Sequence, residues 1–168
     1  MTYWVDERAG DDCFRIYNIE TRSCFGYVRR QGKNWRVEDG ERVPVAVITS
    51  PSDAGSVLGD YYKKHRTWRP DNLDGNGYYK WTEFGFLQVE EEQPGCWFVY
   101  RNAEQTLMRD GEAAKFRAPE QAQRAADAHC SDGPASPGGT SDGLSWFMYD
   151  KPGLPDASTI RDGEVIKV

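Results

Sequence analysis

Two stretches of the chain, residues 25–65 and 84–129, show the same order of sequence patterns, and this internal repeat constrains the fold more than any other feature. Each stretch begins with short segments in which apolar and polar residues alternate, as in strands with one buried face. Each then changes to apolar residues at the spacing of one helix face. The repeat therefore predicts two units with a β-β-β-α order.

The strand matches carry most of the repeat. Phe25-Gly26-Tyr27-Val28 corresponds to Phe84-Gly85-Phe86-Leu87, and Trp35-Arg36-Val37 corresponds to Trp97-Phe98-Val99. The spacing between the copies grows along the chain, which requires insertions in the turns, and turns tolerate insertions.

The helices that close each copy are predicted at 51–65 and 119–129. Each has a proline in its first turn, where the missing N–H costs nothing. Ser50 is predicted as the N-cap of the first helix.

The complete prediction is an α+β chain of two tandem β-β-β-α repeats with additional strands at both termini. The first repeat takes residues 1–70 and the second takes residues 71–130. Residues 131–143 are rich in Gly and Pro and are predicted as a flexible linker. Residues 144–168 are predicted as a C-terminal β-hairpin, and exposed strand edges at either terminus would permit a homodimer.

Composition favours a soluble protein without catalytic chemistry. The chain is 38% apolar and 13% aromatic, which is enough for a core, and it has neither a membrane-length apolar run nor a signal peptide. The four cysteines form no CxxC pair, so free thiols are expected and no zinc site is predicted. The histidines, His65 and His129, lie at predicted helix C-termini, where a structural role is expected. With no nucleophile or nucleotide motif present, we predict no enzyme activity, no metal and no cofactor.

The segment 72–86, NLDGNGYYKWTEFGF, has the ligand spacing of an EF-hand calcium loop, with Asp74, Asn76 and Glu83 as oxygen ligands. Pro70 would interrupt the entering helix, and Glu83 begins a predicted strand where an EF-hand has its exiting helix. We therefore interpret the segment as a turn-rich linker, and calcium binding is the least favoured alternative.

Charge divides the chain into two different halves. Residues 1–70 carry 12 Lys or Arg and 10 Asp or Glu, a net charge of +2, whereas residues 71–168 carry 9 and 17, a net charge of −8. Such asymmetry suggests an oriented binding surface.

The basic residues of the first repeat concentrate in one predicted hairpin, GYVRRQGKNWRVE. Together with SPSDAGSVLGDYY and the echo FRAPEQAQRAADAH, it resembles the plant ethylene-response-factor type of DNA-binding domain. In that family a three-stranded sheet backed by one helix lays Arg and Trp side chains into a groove. The resemblance implies nucleic-acid binding by Arg29, Arg30, Lys33, Trp35 and Arg36.

The second repeat carries glutamates at the matching place, which repel phosphate. The leading hypothesis is therefore an acidic face that docks on a basic protein of a nucleic-acid-handling complex. In size and charge the chain resembles phage anti-defence inhibitors such as anti-CRISPR proteins, which implies an inhibitor or regulator in the cytoplasm, or in the host cytoplasm if it is phage-encoded. The predicted partner-binding residues are Glu90, Glu91, Glu92, Asp110 and Glu112.

Overall fold

The computed structural model describes residues 2–6, 12–65, 67–71, 76–134, 142–148 and 165–166; for 2–6 and 165–166 it describes the backbone. The chain divides into two units. Unit 1 comprises Met1–Arg66, Trp81–Phe84 and Lys151–Val168, and unit 2 comprises Thr67–Lys80 and Gly85–Asp150. The boundary predicted between residues 70 and 71 therefore differs from the observed division, in which the chain returns once to unit 1 before completing unit 2.

Unit 1 is built on one sheet in which the segments with alternating apolar residues form neighbouring strands. Its strands are β1 (Thr2–Asp6), β2 (Cys13–Asn18), β3 (Ser23–Gln31), β4 (Asn34–Asp39), β5 (Pro44–Ile48) and β13 (Val165–Ile166), in the order β13-β1-β2-β3-β4-β5. Strand β13 pairs with β1 in parallel, and the other neighbours are antiparallel. The additional N-terminal strands predicted for this sheet are confirmed.

A single helix, α1 (Ala54–Lys64), covers one face of this sheet. The core between them contains Phe25, Val28 and Val37 from the sheet and Leu58 from the helix, all 0% exposed. The predicted helix 51–65 is confirmed, except that its first turn, Pro51–Asp53, is a 3₁₀ turn. Ser50 precedes that turn, but its side chain makes no capping bond; its hydroxyl pairs with that of Ser52 at 2.7 Å.

Unit 2 has a second sheet and a second helix. Its strands are β6 (Arg69–Pro70), β7 (Gly77–Thr82), β8 (Gly85–Gln93), β9 (Cys96–Arg101), β10 (Gln105–Arg109), β11 (Glu112–Ala113) and β12 (Leu144–Met148), in the order β11-β10-β9-β8-β7-β6 with β12 paired to β10. Helix α2 (Pro119–His129) has the predicted bounds. Its alanines Ala122 and Ala126 pack on Val89 and Val99 in a core that also buries Trp97.

The C-terminal segment differs from its prediction. Strand β12 pairs with β10 in unit 2, whereas β13 pairs with β1 in unit 1, so these two strands do not form the predicted hairpin with each other. Burial of apolar side chains decides where β12 lies, because Leu144 and Trp146 are 4% and 1% exposed in the unit 2 core. Of the predicted linker, residues 135–141 lie outside the described residues.

Two mainly β units with one helix each confirm the α+β class, while the tandem β-β-β-α repeat stays a prediction. Unit 2 departs from that order because the β10–β11 hairpin lies in the sequence between β9 and Phe116, which forms an isolated bridge with Trp97 of β9. Among the described residues, no helix combines the length and apolar character needed to cross a membrane.

At Gly26, strand β3 lies directly against Leu58 of helix α1. A Cβ atom there would clash with Leu58 Cδ1 and would lie 2.7 Å from the Glu38 carbonyl oxygen. We expect Gly26→Ala to lower the free energy of unfolding by about 1–3 kcal/mol, because the backbone oxygen cannot move aside. Urea denaturation measures this, with Gln31→Ala, an exposed site on the same strand, as the neutral control.

The steric origin has its own test in a double-mutant cycle. Leu58→Ala should cost about 2–5 kcal/mol in the natural sequence and clearly less beside Gly26→Ala, where it removes the clash with the Leu58 side chain and leaves the one with the Glu38 carbonyl oxygen. Full additivity of the two penalties would contradict the proposed contact.

Candidate functional site

The five residues predicted to bind nucleic acid do not share one face of the β3–β4 hairpin. Arg29 pairs with Arg36 and Arg30 pairs with Trp35, and paired neighbours lie on alternate faces along the ladder. Lys33 lies in the exposed turn between the strands. The strand period of two residues therefore separates Arg29 and Arg36 from Arg30 and Trp35.

Trp35 belongs to the helix-covered side of the sheet. It is half-buried, packs against the core and lies 5.8 Å from the Phe14 ring between centroids. The Arg30 guanidinium lies 5.8 Å from the Trp35 ring centroid. This tryptophan is therefore a packing residue at the core margin, with an arginine over it.

On the opposite side of the sheet, away from α1, four arginines lie close together. Arg15 of β2 pairs with Tyr27 of β3. Tyr27 lies two residues before Arg29 and so on the same face of the sheet as the Arg29–Arg36 pair. A fourth arginine comes from the β4–β5 loop and stacks on Tyr27, with its guanidinium carbon 3.7 Å from the ring centroid. We call this set the arginine face: Arg15, Arg29, Arg36 and Arg42.

One carboxylate lies within the arginine face. Glu38 is 2% exposed, and its Oε2 lies 2.6 Å from Arg36 Nη2 and 3.9 Å from Arg29 Nε. Its Oε1 makes no hydrogen bond within the described part of the chain. Glu38 therefore offsets one charge of the cluster and pairs closely with Arg36.

Three arginines of this face have a buried donor without an acceptor in the described part of the chain. The Nε atoms of Arg15, Arg29 and Arg36 are buried, and none has a hydrogen-bond partner among the described residues. Orphaned buried donors are uncommon and call for an explanation such as a bound ion. The Arg29 and Arg36 side chains are nevertheless 42% and 33% exposed, so the face is accessible.

Sequence reasoning missed Arg15 and Arg42. Arg15 had a usable signal, because it lies between the apolar Phe14 and Ile16 in a strand and so must point to the opposite face. Arg42 had none. It lies in a loop with a left-handed backbone, φ 66°, where no periodicity indicates the direction of the side chain.

The predicted acidic residues form two separate groups. The first group lies on β8 and already contacts its own unit: Gln88 Nε2 donates to Glu90 at 3.5 Å, Asn76 Nδ2 donates to Glu91 at 3.3 Å, and the Tyr100 hydroxyl bonds Glu92. The second group, Asp110 and Glu112, lies at the exposed β10–β11 turn. Strands β9 and β10 separate β8 from β11, a distance of about 14 Å at the usual strand spacing.

The structure of residues 76–83 also bears on the calcium-binding alternative. Residues 77–82 form a strand and Glu83 lies in the turn that follows, so the exiting helix of an EF-hand is replaced by a β-hairpin. Asp74 lies outside the described residues. Within the described part of the chain, no group of three or more His, Cys, Asp or Glu side chains is placed to hold a metal ion.

His129 ends helix α2 as predicted, and both of its ring nitrogens face carboxylates. Nδ1 lies 2.8 Å from Asp132 and Nε2 lies 2.8 Å from Asp142, and the residue is 1% exposed. Burial lowers the pKa of His129, but the hydrogen bonds to Asp142 and Asp132 outweigh it, so the pKa is raised above its usual value. With both nitrogens occupied, the ring joins the end of α2 to two aspartates.

The chain was compared with protein-family models, curated proteins and solved structures, and none of them matches.

The raised pKa of His129 predicts how stability depends on pH. Its stabilising contribution is complete below about pH 6.5, the ordinary value in an unfolded chain, and is lost as pH rises through the folded pKa. The free energy of unfolding, measured in urea from pH 5 to 9, should therefore show this loss in the natural sequence and lack it in His129→Gln.

The matched control is His65→Gln. His65 is exposed at the end of α1 and contacts the Tyr61 ring, so this variant measures the effect of replacing a histidine that lies away from Asp132 and Asp142. If His129→Gln keeps the natural profile, the two aspartate contacts do not stabilise the charged ring.

Proposed function

We propose that the chain is a non-catalytic binding protein whose arginine face contacts the phosphate backbone of nucleic acid. The observation that carries this proposal is the excess of guanidinium donors around Glu38, with three buried Nε atoms that lack an acceptor among the described residues. Phosphate oxygens are preferred acceptors of arginine, often through two parallel hydrogen bonds. A polyanion that spans several arginines also releases its counterions.

The contact is with the backbone and not with the bases. Base stacking requires an exposed aromatic face. On the arginine face Tyr27 is covered by the Arg42 guanidinium, and Trp35 packs at the core margin on the opposite side of the sheet. We therefore expect binding that depends strongly on salt and weakly on base sequence.

Charge reversal on the two sides of the hairpin tests the proposal. Arg29→Glu and Arg36→Glu should each weaken binding of a fluorescein-labelled duplex in fluorescence anisotropy. Each should also reduce the slope of log affinity against log salt by about 0.9 for every phosphate that the variant no longer neutralises.

Arg30→Glu makes the same charge change on the opposite side of the sheet and is the matched control. It should lower affinity through long-range charge alone and keep the salt slope of the natural sequence. An equal reduction of the slope in Arg30→Glu would show that binding is not localised to the arginine face.

We also propose that the two units are copies of one β-β-β-α unit. Both contain a long hairpin whose tryptophan pairs with a residue just before the helix: Trp35 with Ile48, and Trp97 with Phe116. In both units the chain then continues into a helical segment that begins with a proline. These shared pairings support common ancestry independently of residue identity.

The second candidate function is protein docking through the acidic hairpin of unit 2, as in an inhibitor or regulator of the anti-CRISPR kind. A specific observation favours it: Glu91 pairs with Trp97 at the ladder position where Arg30 pairs with Trp35. Glu90 likewise pairs with Phe98 where Arg29 pairs with Arg36. The matching hairpins thus carry opposite charge, which suits a basic partner from a nucleic-acid-handling complex.

A lysine-rich synthetic peptide is the probe for the acidic hairpin. Glu92→Lys should weaken its binding in calorimetry at low salt, because Glu92 is exposed beside the hairpin turn. Glu120→Lys reverses an exposed acid at the start of α2 and should have the smaller effect. Equal effects would indicate general attraction to an acidic protein and would count against this docking surface.

A further inference from the structure

We propose that the arginine face contains one discrete seat for a single phosphate group, bounded by the guanidinium groups of Arg15, Arg29 and Arg36. The ligand class rests on the proposed function, and the seat gives that function a defined anchoring point. Its location follows from the strand register, because Arg29 and Arg36 are directly opposite each other and Arg15 is the diagonal neighbour of Arg29 across β2 and β3.

The pairing of Arg29 with Arg36 places two like charges on opposed positions. Such pairs have Cβ atoms about 5 Å apart and destabilise a sheet unless an anion lies between or beside them. Glu38 supplies one anion, bonded to Arg36 at 2.6 Å and 3.9 Å from Arg29 Nε. Three arginines and one glutamate still leave a net charge of +2 in the seat, which a phosphate group would offset.

The unpaired atoms identify how the phosphate is held. Arginine grips phosphate through the edge of the guanidinium that carries Nε–H and one Nη–H. Glu38 uses Nη2 of Arg36, and the Nε atoms of all three arginines are buried without an acceptor among the described residues. A tetrahedral anion with several oxygens can satisfy more than one of these donors when the partly exposed Arg29 and Arg36 side chains rotate their Nε–H groups toward it, whereas a chloride ion offers a single acceptor.

Glu38 sets the affinity of the seat because it is an internal competitor for Arg36. Its carboxylate is 2% exposed and its Oε1 has no hydrogen bond to a described residue. Glu38→Gln keeps the size of the side chain and removes its charge. We expect this change to tighten phosphate binding by about tenfold.

Nuclear magnetic resonance of the full chain provides the test. The probe is inorganic phosphate, titrated at constant ionic strength with chloride as the balancing anion, while the Nε–H signals of the arginines are followed. We expect saturable, one-to-one shifts for Arg15, Arg29 and Arg36, binding at least tenfold weaker in Arg15→Gln and Arg29→Gln, and unchanged binding in Arg30→Gln. Circular dichroism of each variant confirms that it is folded.

Several outcomes would overturn the seat: shifts that do not saturate, shifts that chloride reproduces, or equally weakened binding in Arg30→Gln. Weaker phosphate binding in a folded Glu38→Gln variant would overturn the competitor role of Glu38. Oligonucleotide binding without saturable phosphate binding would overturn the seat and leave the proposed function intact. Phosphate binding without oligonucleotide binding would support the seat and overturn the nucleic-acid function.

Discussion

Because successive side chains of a strand point to opposite faces of its sheet, the core of unit 1 decides which arginines act together. Val28 and Val37 are opposite each other in the β3–β4 ladder, and both are fully buried against Leu58 of α1. Their neighbours Arg29 and Arg36 must then lie on the other face. A slip of one residue would exchange the two sets and bury charges in the core, so the same contacts that stabilise the unit also assemble the arginine face.

The proposed duplication has a register that the sequence pattern does not resolve. When Trp35 is aligned with Trp97, the strand pairing of the two hairpins aligns Gly26 with Leu87. Gly26 pairs with Asp39 in unit 1, and Leu87 pairs with Arg101 in unit 2. The pattern of apolar residues instead matches Gly26 to Gly85. The two alignments differ by two positions, and a shift of two keeps every side chain on its own face, so periodicity alone is blind to it.

Local patterns are sufficient for the helices and most strands, and insufficient for distant pairing. Helix α2 begins and ends where the proline and the apolar stripe indicate. The partner of β12 depends on which core accepts Trp146, which is a property of the folded unit and not of the segment LSWFM. The arginine face is therefore predictable in part. Strand alternation indicates the face on which Arg15, Arg29 and Arg36 lie, but the direction of the Arg42 side chain depends on its own left-handed backbone in a loop.

Buried charges elsewhere in the molecule show how far the chain supplies partners for its own charged groups, since even the buried Arg101 keeps one nitrogen, Nη2, without a hydrogen-bond partner among the described residues. Asp39 is 7% exposed, and its carboxylate accepts the backbone N–H of Glu41 and Val43, both at 2.9 Å. Arg101 is 0% exposed; its Nε donates to Gln105 at 2.7 Å and its Nη1 to the Cys130 carbonyl at 2.9 Å.

Burial lowers the pKa of Arg101 to about 9, while the charges of Cys130 and Asp132 act in the opposite direction, and its guanidinium carbon lies 4.4 Å from the Trp146 ring centroid. The arginine face differs from both sites because the Arg29 and Arg36 side chains are partly exposed on a sheet surface, where Glu38 is the carboxylate that the described residues place against them. The loop after β4 satisfies Asp39, whereas three Nε donors of the arginine face have no acceptor among the described residues, and we attribute this to an acceptor that a ligand supplies.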